Sequence, residues 1–214
     1  MSKQISVIIV AAGSSNRMGM NTNKIFLDLC GRSVIERTIS AFTDIPEIFE
    51  IILVTKKEFF DDFKNIIKRY FLNIKLVEGG SSREESTYNG LLEVSDDSDF
   101  VICHDGARPL VSRQNIVNVI NELDNYKAVI TGVRVKDTIK YISSDLEVIS
   151  TPDRRLLYNI QTPQAFEKEI ILEGYKTPTI SHLILSPITV IKKSAYSLES
   201  YFCLCLKINL HILH

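Results

Sequence analysis

Five short apolar runs alternate with four amphipathic stretches of helical period over the first 135 residues, and this succession constrains the fold more than any other property of the chain. "SVIIVAA" at 6–12 is a continuous apolar run rich in β-branched residues, which predicts a strand buried on both faces. Further strands are predicted at 50–55, 74–80, 99–109 and 127–135. Between them, 33–42, 57–71, 82–94 and 113–124 carry apolar residues at helical spacing. Ser33 with Glu36 three residues on forms a capping-box pattern, and Ser82 opens the third helix in the same role. Strand and helix in strict alternation imply an α/β fold, with a mostly parallel, doubly wound (Rossmann-like) sheet covered by helices on both faces.

In such sheets, ligands bind outside the carboxyl ends of the strands. The unusual residues of this chain gather at those ends: "AAGSSNRMG", "GGSSREES", "HDGARP" and "VKDT". In the first loop, backbone N–H groups near a helix start, Arg17 and Lys24 would suit a phosphate chain. The spacing matches neither the dinucleotide glycine fingerprint nor Walker A, and a surface loop with two solvated cations would look the same. In "HDGARP" a strand delivers Asp105 and Arg108 to one loop, with small residues between them that let a ligand approach. Asp105 could orient a hydroxyl or a hydrated Mg²⁺, or simply cap the loop with Arg108. Gly79, Gly80 and Ser86 suit the reading of a base edge, although a turn and helix cap need the same residues. His104 is read as a strand-end residue without a catalytic role. No nucleophile–base pair stands out, so the chemistry expected is charge stabilisation rather than covalent catalysis.

Residues 136–158 lose the helical period and alternate weakly, which predicts a hairpin-like β-arm projecting from the sheet and suited to subunit contact. The expected division is one α/β domain over 1–176, which includes the arm, and an atypical tail over 177–214. In that tail Glu199 is the one acidic residue, against 26 in the whole chain. The tail has no clear period or capping logic, and it reads as poorly specified or non-native sequence.

A net charge of −1 provides no general attraction to nucleic acid or anionic lipid, so any anion must be bound locally. The N-terminus lacks secretory-signal features and no apolar run is long enough to span a bilayer. Cys30, Cys103, Cys203 and Cys205 show no zinc-type spacing and read as reduced thiols, which suits a cytoplasmic enzyme.

Taken in order, "AAGSSNRMG…NK", "GGSSREES", "HDGARP", "VKDT" and "QTPQAF" resemble the 2-C-methyl-D-erythritol 4-phosphate cytidylyltransferases of the non-mevalonate isoprenoid pathway, over about residues 5–176. The resemblance implies the nucleotide-diphospho-sugar transferase type of fold. It implies transfer of a cytidylyl group from CTP to a sugar-alcohol phosphate, with Mg²⁺ and release of pyrophosphate. It assigns Arg17 and Lys24 to the charge on the reacting phosphates. Ala11, Ala12, Gly13, Gly80, Ser81 and Ser86 would hold the nucleotide, and Asp105 and Arg108 would meet the acceptor. Thr138, Arg154 and Thr162 would grip the acceptor, with Arg154 supplied across a homodimer by the arm. Ribitol 5-phosphate as acceptor, or a CTP-binding protein inactivated by its altered tail, are the competing readings. The family's acidic "TDDAS"-type segment and "NIKIT"-type strand are not recognisable after residue 176. Lys207 in "LKIN" lies in surroundings that do not match, so no role is carried over to it.

Overall fold

The computed structural model describes residues 3–13, 23–70 and 73–176, together with the backbone of 204–207. The first predicted run forms β1 (Ile5–Val10), whose first five residues are fully buried. The next elements are α1 (Val34–Thr43), β2 (Ile48–Thr55), α2 (Phe60–Ile67), β3 (Asn73–Glu78), α3 (Arg83–Leu92), β4 (Phe100–Asp105), α4 (Arg113–Glu122) and β5 (Ala128–Arg134). Then follow the short strands β6 (Tyr141–Ile142) and β7 (Val148–Ser150), the long strand β8 (Tyr158–Glu167), α5 (Lys168–Lys176) and β9 (Leu204–Lys207).

Helix starts follow local chemistry. Ser33 accepts from the Glu36 N–H while the Glu36 carboxylate takes the Ser33 N–H, the reciprocal capping expected from the sequence. Ser82 caps α3 by accepting from the Glu85 N–H at 3.0 Å. The stretch predicted as one helix over 57–71 instead begins with a 3-10 turn at Lys57–Phe59 and becomes α-helical at Phe60, with no side-chain cap at either start.

The sheet has seven strands in the order β3-β2-β1-β4-β8-β5-β9. β3, β2, β1 and β4 pair in parallel, whereas β8 runs antiparallel between β4 and β5. The predicted fifth strand therefore points the same way as the first four but reaches them only through β8. The "QTPQAF" motif lies within β8, a strand that the sequence pattern hides because Pro163 interrupts it. The sheet tolerates that proline at a register shift: Ile130 faces Gln164 while Thr131 faces Gln161, leaving Thr162 and Pro163 as extra residues. The backbone of β9, from the tail read as poorly specified, pairs antiparallel with the outer edge of β5. The rest of 177–214 lies outside the described residues.

Helices cover both faces. Ile35, Ile39 and Phe42 of α1, Phe63 of α2 and Ile116, Val119 and Ile120 of α4 pack on one side with Val7, Ile9, Ile51, Leu53 and Ile102. Leu91 of α3 and Ile171 of α5 pack on the other side with Ile8, Ile52, Val54, Val101 and Phe166. Each fully buried aliphatic or aromatic side chain contributes about 1.5–3 kcal/mol to the burial term, so the strands are anchored on both faces and their ends are rigid supports for loops. β6 and β7 form a separate two-stranded antiparallel sheet with Tyr141, Ile142, Val148 and Ile149 exposed. No helix among the described residues is long and apolar enough to cross a membrane.

Candidate active site

Register sets where the loops meet. Val10 at the end of β1 lies opposite both Val54 of β2 and Asp105 of β4, and Val54 lies opposite Val77 of β3. All four parallel strands therefore end at one level. The ladder continues a residue beyond them: the Ala11 N–H donates to Val54 O, the Gly79 N–H to Thr55 O and the Gly106 N–H to Val10 O. These bonds pin the first residue of each loop against its neighbour and leave a cleft of about 850 Å³ above them.

Of the residues singled out in the sequence, Ala11, Ala12, Gly13, Lys24, Gly80, Ser81, Ser86, Asp105 and Arg108 line this one cleft. Thr162 sits beneath it, buried, its Oγ1 accepting from the Asp105 backbone N–H at 3.2 Å. Thr138 and Arg154 are exposed and do not line the cleft of their own chain; Arg154 donates from Nη1 to Lys136 O at 3.0 Å. Arg17 lies outside the described residues.

One side of the cleft is built from small groups. A Cβ on Gly79 would sit 2.3 Å from the Ala12 Cβ, so the loops after β1 and β3 approach as closely as backbone allows. Ser86 Oγ accepts from the Gly80 N–H at 3.1 Å and donates to Ser82 O at 2.7 Å, locking the glycine loop to the first turn of α3. Ser81 is held by Glu85, whose carboxylate takes its hydroxyl and its N–H; those bonds keep the Glu85 carboxyl below the usual range. Ser81, Ser82 and Arg83 thus bring the positive end of the α3 dipole to the cleft wall.

The opposite side is a charge network. Asp105 Oδ1 accepts from Arg83 Nε and Nη2 at 3.0 and 2.9 Å, and Oδ2 accepts from Arg108 Nε at 2.8 Å. Arg108 Nη1 also donates to Gln161 Oε1. Burial alone would raise the Asp105 carboxyl, but the two guanidiniums outweigh it and hold the group below its ordinary value, so it is ionised at neutral pH. Beside it, His104 is fully buried against the Phe42 ring, and burial lowers its pKa to about 4. It is neutral and faces the core, in agreement with its reading as a strand-end residue. Cys103 is likewise buried, its thiol pushed up to about 12 and inert.

Two residues of the site escaped the sequence reading. Lys56, directly after β2, and Arg83, the first residue of α3, both line the cleft. A signal for Arg83 existed: a cation in the first turn of a helix opposes the dipole, so its presence there asks for an acidic partner. Lys56 carries no such signal, because a lysine after a strand is ordinarily solvated. With Lys24 and Arg108 they give the described lining four cations against one carboxylate, Asp105. Such a cleft attracts a polyanion and can stabilise charge that builds up on phosphate oxygens. No cluster of three or more metal-ligating side chains occurs among the described residues. Since Asp105 is already engaged by two guanidiniums, a magnesium ion would fit here only when most of its ligands come from substrate phosphates and water.

Comparison with known proteins gives the family and the fold. The family model for 2-C-methyl-D-erythritol 4-phosphate cytidylyltransferase matches residues 5–185. The protein of that name from Caldanaerobacter subterraneus subsp. tengcongensis is 44% identical over 175 residues, covering 80% of this chain and 77% of its own. The one from Clostridioides difficile is 47% identical over 173 residues, covering 80% and 73%. The crystal structure of a 4-diphosphocytidyl-2C-methyl-D-erythritol synthase from Anaerococcus prevotii superposes with a TM-score of 0.75 at 42% identity, over 82% of this chain and 76% of that one.

Proposed function

The chain belongs to the 2-C-methyl-D-erythritol 4-phosphate cytidylyltransferase family, and from that premise we propose how its cleft carries out the reaction. The substrates are CTP and methylerythritol phosphate, and the products are CDP-methylerythritol and pyrophosphate. An oxygen of the acceptor phosphate attacks the α-phosphorus of CTP, and the bond to the bridging oxygen breaks in line. Because the acceptor phosphate is already anionic, the step needs no general base, only orientation and charge stabilisation. The observation that supports this most directly is the set of level strand ends that puts, among the described residues, four cations and a fixed carboxylate in one cleft.

In this reading Lys24 and Arg17 meet the charge on the α-phosphate and the departing pyrophosphate, and Lys56, which lines the cleft with Lys24, adds a further positive charge. Cytosine and ribose lie against Ala11, Ala12, Gly13, Gly80 and Ser81, with the loop shaped by Ser86. Asp105 and Arg108 receive hydroxyls and phosphate of the acceptor, and Thr162 supports them from below. Magnesium, bound to triphosphate oxygens and water, would neutralise phosphate charge. Arg154 and Thr138 would complete the acceptor site from a second copy, whose exposed β6–β7 sheet supplies the apolar contact surface. We place the reaction in the cytoplasm, supported by the free thiols of Cys30 and Cys103.

The test is pyrophosphate release from the purified chain with CTP and Mg²⁺, run in parallel with methylerythritol phosphate and ribitol 5-phosphate. Release with the first acceptor alone is expected. Release with ribitol 5-phosphate alone would move the acceptor assignment, and CTP binding without any release would leave a nucleotide-binding protein.

A further inference from the structure

We propose that Arg83 is a positioning residue for the acceptor half of the cleft: by gripping one oxygen of Asp105 it fixes the carboxylate that in turn fixes Arg108. The proposal rests on the cytidylyl-transfer reading above.

The placement of Arg83 is the first argument. It is the first residue of α3, where the helix dipole repels cations, and it is followed by the acidic pair Glu84 and Glu85 that such a position favours. A guanidinium kept there and left only 33% exposed must be held by a partner that outweighs both the dipole and the lost hydration. That partner is Asp105, reached across 22 residues of sequence. The pair is mutual: burial works against the charge on Arg83, while Asp105 favours it.

The second argument is the count of acceptor directions. A carboxylate offers about four lone-pair sites. Arg83 occupies both directions on Oδ1 through Nε and Nη2, and Arg108 Nε takes one on Oδ2. One direction on Oδ2 is left for a ligand hydroxyl, on the side where Arg108 lies. Gln161 holds Arg108 Nη1, so the guanidinium is anchored at two edges while it lines the cleft beside Asp105. Even the backbone of Asp105 is tied, through its N–H to Thr162 Oγ1. Asp105 and Arg108 together thus read a hydroxyl next to an anionic group, and Asp105 acts as a hydrogen-bond acceptor rather than a base. Without Arg83, Oδ1 would be half-buried and unpaired, the carboxylate would turn to find hydrogen bonds, and Arg108 would turn with it.

The experiment compares Arg83→Met, Arg83→Lys and the wild-type full chain by steady-state pyrophosphate release, with each substrate varied in turn across the acidic and neutral range. In Arg83→Met the KM for methylerythritol phosphate is expected to rise roughly tenfold or more, as for loss of a hydrogen-bonded charge contact. The KM for CTP should change far less, and the acidic limb of kcat/KM for the acceptor should move to higher pH as Asp105 loses its cation. Arg83→Lys, which can hold Oδ1 through a single ammonium, should recover part of the acceptor KM. A second arm needs no substrate: Arg83→Met, Asp105→Asn and the double variant are unfolded in denaturant, and their effects should be non-additive. Additive unfolding overturns the grip. Non-additive unfolding with an unmoved acceptor KM and pH profile overturns the positioning role alone. A wild-type chain with no turnover on methylerythritol phosphate overturns the reaction reading, and this role with it.

Discussion

Lys24 follows Asn23, whose side chain caps a 3-10 turn by accepting from the Ile25 N–H, so the lysine is carried on a fixed support at the cleft wall. Replacing it by alanine should leave the fold intact and lower kcat about a hundredfold, or more, as expected for one lost cation at a developing phosphate charge. Pyrophosphate release beside an unchanged circular-dichroism spectrum checks this, and near-normal turnover would remove Lys24 from the chemistry. His104 predicts a pH response instead. Its folded pKa of about 4 lies below the unfolded value, so the unfolded chain binds the extra proton first. Stability is therefore full above the ordinary histidine range and falls as the pH drops towards 4, by about 3 kcal/mol in total. The neighbouring Asp105 is held below its ordinary value by Arg83 and Arg108, so its own contribution fades only at more acid pH. Denaturant midpoints of the wild type and His104→Gln across that window should diverge at neutral pH and converge under acid; parallel curves would show that His104 does not titrate there.

Elements matter here through their ends. The β1 and β3 loops touch at Ala12 and Gly79, and this contact shapes the cleft wall proposed for the nucleotide. Gly79→Ala places a methyl 2.3 Å from Ala12 Cβ and 3.1 Å from Ser86 Oγ, so one loop must move. The expected result is a loss of about 1–3 kcal/mol in unfolding free energy and a raised KM for CTP, read by denaturant unfolding and kinetics; unchanged values in both would mean that the loops part freely. The β6–β7 pair carries an apolar surface with Ile142, Val148 and Ile149 more than half exposed. If a second copy covers it, Val148→Glu should convert the dimer into a monomer in analytical ultracentrifugation and depress acceptor turnover through Arg154. A wild-type chain that sediments as a monomer would reject the shared site.

At the scale of the molecule, a net charge of −1 coexists with a cleft whose described lining carries four cations and one carboxylate. Attraction of CTP is therefore local, and its affinity should fall several-fold as salt is raised from low to high ionic strength, which calorimetric titration would measure; a flat response would mean that backbone contacts dominate. The β/α alternation, the capping of α1 and α3 and the gathering of odd residues at strand ends were legible in the sequence, because periodicity, caps and glycine loops are local properties that each segment carries alone. The insertion of β8 between β4 and β5 was not, since strand order depends on long-range pairing and Pro163 conceals the strand by occupying a bulge. Asp105 and Arg108 were legible as a short loop motif; Arg83 signalled only that it needs an acidic partner and Lys56 signalled nothing, because only the register of β1, β2, β3 and β4 brings their loops to one level. By itself, then, the sequence determined the α/β architecture and the chemical character of the loops. Tertiary structure decided which side chains share the cleft and which oxygen of Asp105 each arginine holds, because contacts between residues far apart in the chain exist only once the sheet has set their separation.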